Sequence, residues 1–493
     1  MSRLPGAEVR LASASLRHGE ARDSRVGMKV VRDPTGKMAC HGERDPRPRE
    51  RHTGPWRSPM PIKVGFAERD ITPPLGIRMA GFFEDRMVEG IHDPLFVRAM
   101  ALDNGEHPLI LLTCDLISLR GETVRRVREA IAATTGVAPE SIGMSTTHTH
   151  TGPATSGVFT RPPDPDYVER LARDLPAAGR AAWESRQSAR LGVGWGFEGR
   201  LSHNRRFMMR STRQVVMHPP KGSTDILYQE GRVDPEVGVI SARTEKGQAL
   251  GCLLNFACHA NVVGGSEVSA DYPGHFAAAM KARQGEHHVG LFANGCCANL
   301  CQIDVYDPER DDWGHEWAKH MGERLADDVL KVEAEMEFRD EVKLDSRLVE
   351  VQLPLRRIPD SLLDWARQVQ QTPELQNIVD SAYAEMAFEL REEVRRTPTF
   401  PGVIQALRVG DVGVVLLPGE VFVQFGLDIK LNSPARRTFV VELSNGVVGY
   451  VPTKEAFAGG GYEQRTATSS RLAPVAGEFM VDTALSLLDS MFL

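Results

Sequence analysis

The chain has 493 residues, 41% of them apolar and 25% charged, and a formal charge of −7. That composition excludes a mostly disordered chain, a collagen-like repeat and a small disulfide scaffold. No run approaches the ~18 consecutive apolar residues of a membrane-spanning helix, and the acidic balance argues against a nucleic-acid binder.

Residues 1–59 stand apart. They carry thirteen basic and seven acidic side chains, against 46 basic and 59 acidic in the remainder. Arg, Pro, Gly and Ser alternate there without an apolar period, so the segment cannot bury enough surface to offset its ordering entropy. It reads as a disordered basic tail upstream of the natural start, with Met60 opening the folded pattern at 60–493. It lacks the apolar run of about 7–15 residues of a signal peptide, and it is too acidic for a mitochondrial presequence. A cytoplasmic protein is therefore expected. The seven cysteines are an odd number and sit mostly in apolar runs, as reduced buried thiols do. Cys296-Cys297-x-x-x-Cys301 lacks the paired spacing of a zinc ribbon.

Strands and helices then alternate. Ile62–Phe66 reads as a strand. Phe96–Leu102 and Pro108–Thr113 read as a hairpin around Asp103-Asn104-Gly105. Glu122–Thr134 has helical period and stops before Gly136. Ile142–Thr147 is strand-like, Asp166–Arg186 helical, and Val237–Arg243 with Ala249–Ala257 a second hairpin. A helix at Tyr272–Arg283, a short buried strand at Val289–Ala293 and a long amphipathic helix at Trp313–Glu335 follow. Residues 359–397 are helical and highly charged, an insertion or lid. Strands return at Val403–Val409, Gly413–Leu417 and Phe439–Leu443, and Val475–Leu488 closes as a helix. Hairpins mixed with helices predict antiparallel or mixed sheets in an α/β chain.

Three strand ends carry candidate chemistry. Thr147-His148-Thr149-His150-Thr151-Gly152-Pro153 places histidines at i and i+2, one face of an extended strand, where both imidazoles can reach one metal or one substrate. His259 follows the apolar run ending Asn255-Phe256-Ala257-Cys258, and Asp271 reads as the N-cap of the next helix. Leu416-Leu417-Pro418-Gly419-Glu420 puts a carboxylate at a third rim. Two or three histidines and a Glu make a donor set for zinc, which takes N and O ligands and keeps an open position in catalytic sites. Gly459-Gly460-Gly461 lacks the spacing of a nucleotide-binding loop.

These motifs, with Gly449-Tyr450, Gly461-Tyr462-Glu463, the opening VGFAERDITPPLGIRMAGF and the stretch GIHDPLFVRAMAL, resemble the catalytic domain of the neutral/alkaline (non-lysosomal) ceramidase family over about residues 61–490. The resemblance implies a four-layer α/β sandwich with two central mixed sheets flanked by helices. It implies one Zn²⁺ held by His148, His259, Glu420 and Tyr462, with His150 and Tyr450 facing the scissile carbonyl and Arg205 near the site. Tyr462 is an unusual ligand, because a phenol ionises near ~10 and needs the metal to favour the phenolate. The implied activity is hydrolysis of a linear amide of an N-acyl, lipid-like compound by a metal-activated water.

Two departures stand out. The family's G-D-V-S-P is replaced by Gly295-Cys296-Cys297-Ala298-Asn299, which removes its Asp and Ser, and the chain ends at Leu493 without the immunoglobulin-like domain expected of the family. The alternatives are an esterase or a sugar or lipid deacylase, a cysteine amidase on Cys296, Cys297 or Cys258, and a non-catalytic metal-binding relative. Asp115 and Asp271 are the carboxylates considered as general base. Deleting residues 1–59 is expected to leave melting temperature and activity unchanged, and a fall of several degrees in a thermal melt would show that the segment packs on the domain.

Overall fold

The structure, a computed structural model, describes residues 61–157 and 162–493, together with the backbone of a short antiparallel pair, Val31–Arg32 with Met38–Ala39. The rest of the tail predicted at 1–59 lies outside the described residues.

In chain order the principal elements are β1 (Lys63–Asp70), β2 (Phe96–Asp103), β3 (Leu109–Cys114), α1 (Gly121–Thr135), β4 (Ile142–Thr146), α2 (Pro165–Glu184) and β5 (Gln187–Phe197). Then come β6 (Glu236–Thr244), β7 (Ala249–Phe256), α3 (Asp271–Gln284), β8 (Val289–Asn294), α4 (His315–Glu335) and β9 (Leu344–Pro354). The last are α5 (Asp360–Gln371), α6 (Ile378–Arg396), β10 (Thr399–Val409), β11 (Val412–Leu416), α7 (Val423–Asn432), β12 (Arg437–Val441) and α8 (Ala476–Phe492).

Two mixed sheets result. The larger runs β8-β7-β6-β5-β1-β2-β3-β4, and the smaller runs β9-β10-β11-β12. Both predicted hairpins are antiparallel ladders, β2 with β3 and β6 with β7. Parallel neighbours need a crossover, and each parallel pair here has a helix as its link. α1 lies between β3 and β4, α3 between β7 and β8, and α7 between β11 and β12. The larger sheet curls until β8 comes back against β2, β3 and β4, and Asn294 Nδ2 donates to Thr147 O at 3.4 Å. That curl brings the carboxyl ends of β4 and β7, which sit near opposite edges of the sheet, to the same place.

One apolar cluster draws on both sheets. Met100, Leu109, Ile240 and Leu291 of the larger meet Leu407, Val414, Leu416 and Phe439 of the smaller. Helices α1 and α2 cover the other face of β2–β4, and α3 and α4 that of β6–β8. α7 and α8 pack on the smaller sheet. β5, unread in the sequence, runs QSARLGVGWGF, and its glycines hide the β-branched signature of a strand. Gly192, Gly194 and Gly196 are needed there. A Cβ at any of them would meet Val332 or Met336 at the end of α4. β9, α7 and the three-stranded sheet of Arg206–Met209, Val215–Met217 and Ile226–Gln229 were likewise unread. The charged stretch predicted at 359–397 is a helical pair, α5 and α6, with an apolar seam of Ala366, Val369, Ala384 and Ala387.

Phe439 is fully buried and lies against Gly238 of β6, where an added Cβ would meet its ring at 2.5 Å. Phe439→Ala is expected to cost about 3–5 kcal/mol. Urea unfolding measures it, and a loss below about 1 kcal/mol would mean that the two sheets do not depend on this contact.

Candidate metal centre and active site

β4 ends at Thr146, two residues before the first histidine. His148 then takes a left-handed backbone, φ 68°. The i, i+2 alternation of an extended strand is therefore not what places His148 and His150 together, which corrects the sequence reading. A turn does it, anchored by His148 N to Leu116 O at 3.0 Å and His150 N to Ala260 O at 3.1 Å. His259 enters three residues after β7, and Glu420 four residues after β11. All four side chains are buried or nearly so.

The ring contacts decide what these groups can do. His148 Nδ1 lies 2.8 Å from Ile117 O, and His259 Nδ1 lies 3.2 Å from Cys297 O. A carbonyl accepts only, so each Nδ1 carries the proton and each Nε2 presents a lone pair. Those two Nε2 atoms face each other at 3.1 Å, and His150 Nε2 is 3.2 Å from that of His148. Glu420 Oε2 stands 3.4 Å from His148 Nε2 and 3.9 Å from His259 Nε2, and it has no hydrogen bond although buried. Lone pairs and a bare carboxylate at this spacing repel unless a cation lies between them. Tetrahedral ligands at ~2.1 Å from one ion are separated by ~3.4 Å, so the spacing fits a metal. His148, His150 and His259 form a group of donor atoms all within 4.8 Å of one another.

Burial is the largest influence on His148 and pulls it down, but Glu420, the Ile117 carbonyl and Glu442 together outweigh it, and the net upward shift favours a positive charge at this point. Burial drives His150 well below the usual imidazole range, with the charges of His148 and Arg205 adding to it. His259 falls in the same way, through burial and then Arg205.

Tyr450 and Tyr462 meet each other, hydroxyl to hydroxyl at 3.4 Å. Burial pushes Tyr462 up to about 12, against the pull of Arg205, whose guanidinium lies 5.3 Å from the centre of the Tyr462 ring. Arg205 is fully buried, pairs with Glu463 at 3.3 Å and donates to Ala298 O. Its side chain therefore meets Glu463, the Ala298 carbonyl and the Tyr462 ring.

No family model matches the sequence, and no curated protein matches it. Solved structures do. Neutral ceramidase from Pseudomonas aeruginosa superposes with a TM-score of 0.69 at 18% identity, over 88% of this chain and 75% of its own. A ceramidase complexed with C2 superposes with a TM-score of 0.68 at the same identity and coverage. The chain has the neutral ceramidase fold.

On that fold, the loop Gly295–Asn299 serves the cluster with backbone. Cys297 O takes the His259 Nδ1 proton and Ala298 O takes the Arg205 guanidinium. Cys297 Sγ is 3.7 Å from His259 Nδ1, but the thiol donates to Glu442 at 2.9 Å. Burial holds the thiols of Cys258, Cys296 and Cys297 well above the usual range, so none supplies the thiolate that a cysteine amidase needs. That alternative is set aside.

The two candidate general bases are also engaged elsewhere. Asp115 accepts from Arg98 Nη1 at 2.7 Å and Phe96 N at 2.9 Å. Asp271 is the first residue of α3 rather than its N-cap, and it accepts from Val263 N and Tyr272 N.

Three supporting groups were missed. Glu463 joins Arg205 and Arg206, Glu442 receives the Cys297 thiol and Val421 N, and Arg86 donates to His150 O at 2.8 Å. Only Glu463 had a sequence signal, its adjacency to Tyr462. Phe82 completes the wall, its ring edge-on to His150 at 5.5 Å. The six described cysteines are buried and free. Iodoacetamide is therefore expected to leave native activity unchanged and to label those thiols only after denaturation, as read by peptide mass spectrometry. Rapid inactivation with one of them modified would restore the cysteine reading.

Proposed function

We propose that the chain is a zinc-dependent hydrolase of linear N-acyl amides. The observation that carries this reading is the pair of carbonyl-locked imidazoles whose Nε2 lone pairs face each other beside the bare Glu420 carboxylate. Imidazole with carboxylate is a donor set for zinc rather than for magnesium or calcium. The likeness to solved ceramidases supports the amide as the bond cleaved. We propose His148, His259, Glu420 and Tyr462 as the ligands. The ion would supply a Lewis acid and a water of lowered pKa.

The chain's own groups do the rest. The carbonyls of Ile117 and Cys297 keep both ligand rings in one tautomer and orientation. In this reading the Tyr450 hydroxyl and the His150 ring donate to the oxyanion that develops on the carbonyl oxygen. Arg205 acts by position, holding the Tyr462 ring and the Cys297–Ala298 loop through Glu463 and Ala298 O. We keep the substrate at the class of N-acyl amides, since the Cys296–Asn299 loop offers no hydroxyl where the ceramidase motif carries its serine. We also infer the layer order helices, sheet, sheet, helices from the apolar clusters.

Metal analysis of the purified protein, with a hydrolysis screen of N-acyl amides, tests the reading. His148→Ala and His259→Ala are expected to lose most of the zinc and all measurable turnover. An active wild-type protein that stays metal-free after chelation would end the proposal. His150→Ala and Tyr450→Phe are expected to keep the metal and lose about 10²–10³ in kcat, with a smaller change in KM. The 3.2 Å approach of His150 to His148 favours a second assignment, with His150 as a ligand in place of Tyr462. Loss of metal from His150→Ala but not from Tyr462→Phe would establish it.

A further inference from the structure

A cavity of about 420 Å³ lies beside the metal centre, with Phe82, Glu84, Arg86, Val263, Gly264 and Trp313 among its walls. It adjoins the candidate active site through shared residues. The Phe82 ring meets the His150 ring edge-on, with centroids 5.5 Å apart. Arg86 Nη2 donates to Ala80 O and to His150 O, both at 2.8 Å, and Arg86 Nη1 donates to Gly265 O. One guanidinium therefore ties together the loop of Phe82, the turn of His150 and the floor of the cavity.

Hydrogen bonds fix the other wall. Trp313 stands two residues before α4, and Gly314 N donates to Val262 O at 2.8 Å, which holds that segment against the floor. Val263 N donates to Asp271 Oδ2 at 3.1 Å. At Gly264 the two aromatic walls converge. A Cβ there would lie 3.5 Å from Trp313 Cζ2 and 3.9 Å from Phe82 Cζ. The missing side chain keeps the space between the rings open. Trp313 is 46% exposed, an apolar face with room for a ligand to cover it.

Charge decides which half of an amide belongs there. Hydrolysis turns the nitrogen half into an amine, which is protonated in neutral water when aliphatic, and leaves the hydrocarbon of the acyl half uncharged. Arg205 and Arg86 are the cations that act on His150. A new cation on this side is repelled, whereas a hydrocarbon gains by covering the Phe82 and Trp313 rings. Glu84, the acid near Arg86, is exposed at the rim, where solvent screens it.

We propose that the groove between Phe82 and Trp313, floored by Gly264, is the subsite for the acyl group, and that the chain prefers amides of apolar acyl groups longer than acetyl. The proposal rests on the amide reading above and adds which side chains set acyl specificity. A chain leaving a carbonyl held at His150 passes Phe82 first and then reaches Trp313.

Zinc-loaded full-length protein assayed on N-acetyl, N-hexanoyl and N-octanoyl p-nitroanilides tests this. Wild type is expected to show kcat/KM rising from acetyl to octanoyl. Trp313→Ala removes a wall and Gly264→Leu fills the groove. Each is expected to lower the octanoyl-to-acetyl ratio of kcat/KM at least about tenfold. An unchanged ratio in both variants overturns the proposal. So does a change in selectivity among amines at fixed acyl group with the acyl preference intact, which would give the groove to the amine half. Binding of octanamide to metal-free protein, read by tryptophan fluorescence, needs no turnover. A response to octanamide but not to acetamide, lost in Trp313→Ala, is expected even if no amide is hydrolysed, so the two readings fail separately. No response in wild type overturns the proposal.

Discussion

Two nitrogen lone pairs held 3.1 Å apart in a buried site are the constraint on which the rest of this molecule depends. Neither imidazole can turn its proton inward, because each spends it on a backbone carbonyl, Ile117 for His148 and Cys297 for His259. The repulsion is local and directional, and a positive charge between these groups relieves it without breaking those bonds. Glu420 adds negative charge at the same point rather than a donor. The folded chain therefore stores unfavourable electrostatics in one place, as sites for ions and reacting groups commonly do.

The scaffold pays for that placement through topology. Each group arrives just past the carboxyl end of a strand with a parallel neighbour, the general place for ligands in open α/β sheets. β4 and β7 are nearly a whole sheet apart in hydrogen-bonding order, so only the curl of the larger sheet brings His148 to His259. Glu420 comes from the other sheet, and the apolar contact between sheets, which includes Phe439, fixes its distance from the histidines.

Behind the cluster, charge is balanced in depth. Glu463, itself fully buried, takes both Arg205 and Arg206, and Glu442 takes the Cys297 thiol and the Val421 amide. Buried charges of this kind are costly to unpair. They keep the loops at 296–299 and 460–463 in register with the imidazoles. The helical pair α5–α6 adds an outer brace, with Tyr383 and Met386 packed among Phe83, Ala467 and Tyr462 and Asp380 paired to Arg465 at 2.7 Å.

Much of this was legible in the sequence. The two hairpins, the helices α1 to α4 and the three strand ends that carry His148, His259 and Glu420 follow from apolar period and turn residues, which act over a few residues. β5 was not legible, because its glycines answer to the close approach of α4 and not to any preference of their own for extended backbone. The left-handed turn at His148 was hidden too, since H-x-H reads equally well as an extended strand. Arg86, Glu442 and the groove between Phe82 and Trp313 carry no local pattern at all. Local chemistry determined which residues stand at the ends of strands. Which of those ends meet, which ring nitrogen keeps its proton and which acids and bases lie behind them were decided by tertiary structure. Those outcomes depend on contacts between segments one to three hundred residues apart, across a curled sheet and between two sheets, and no interaction within a short window of sequence encodes them.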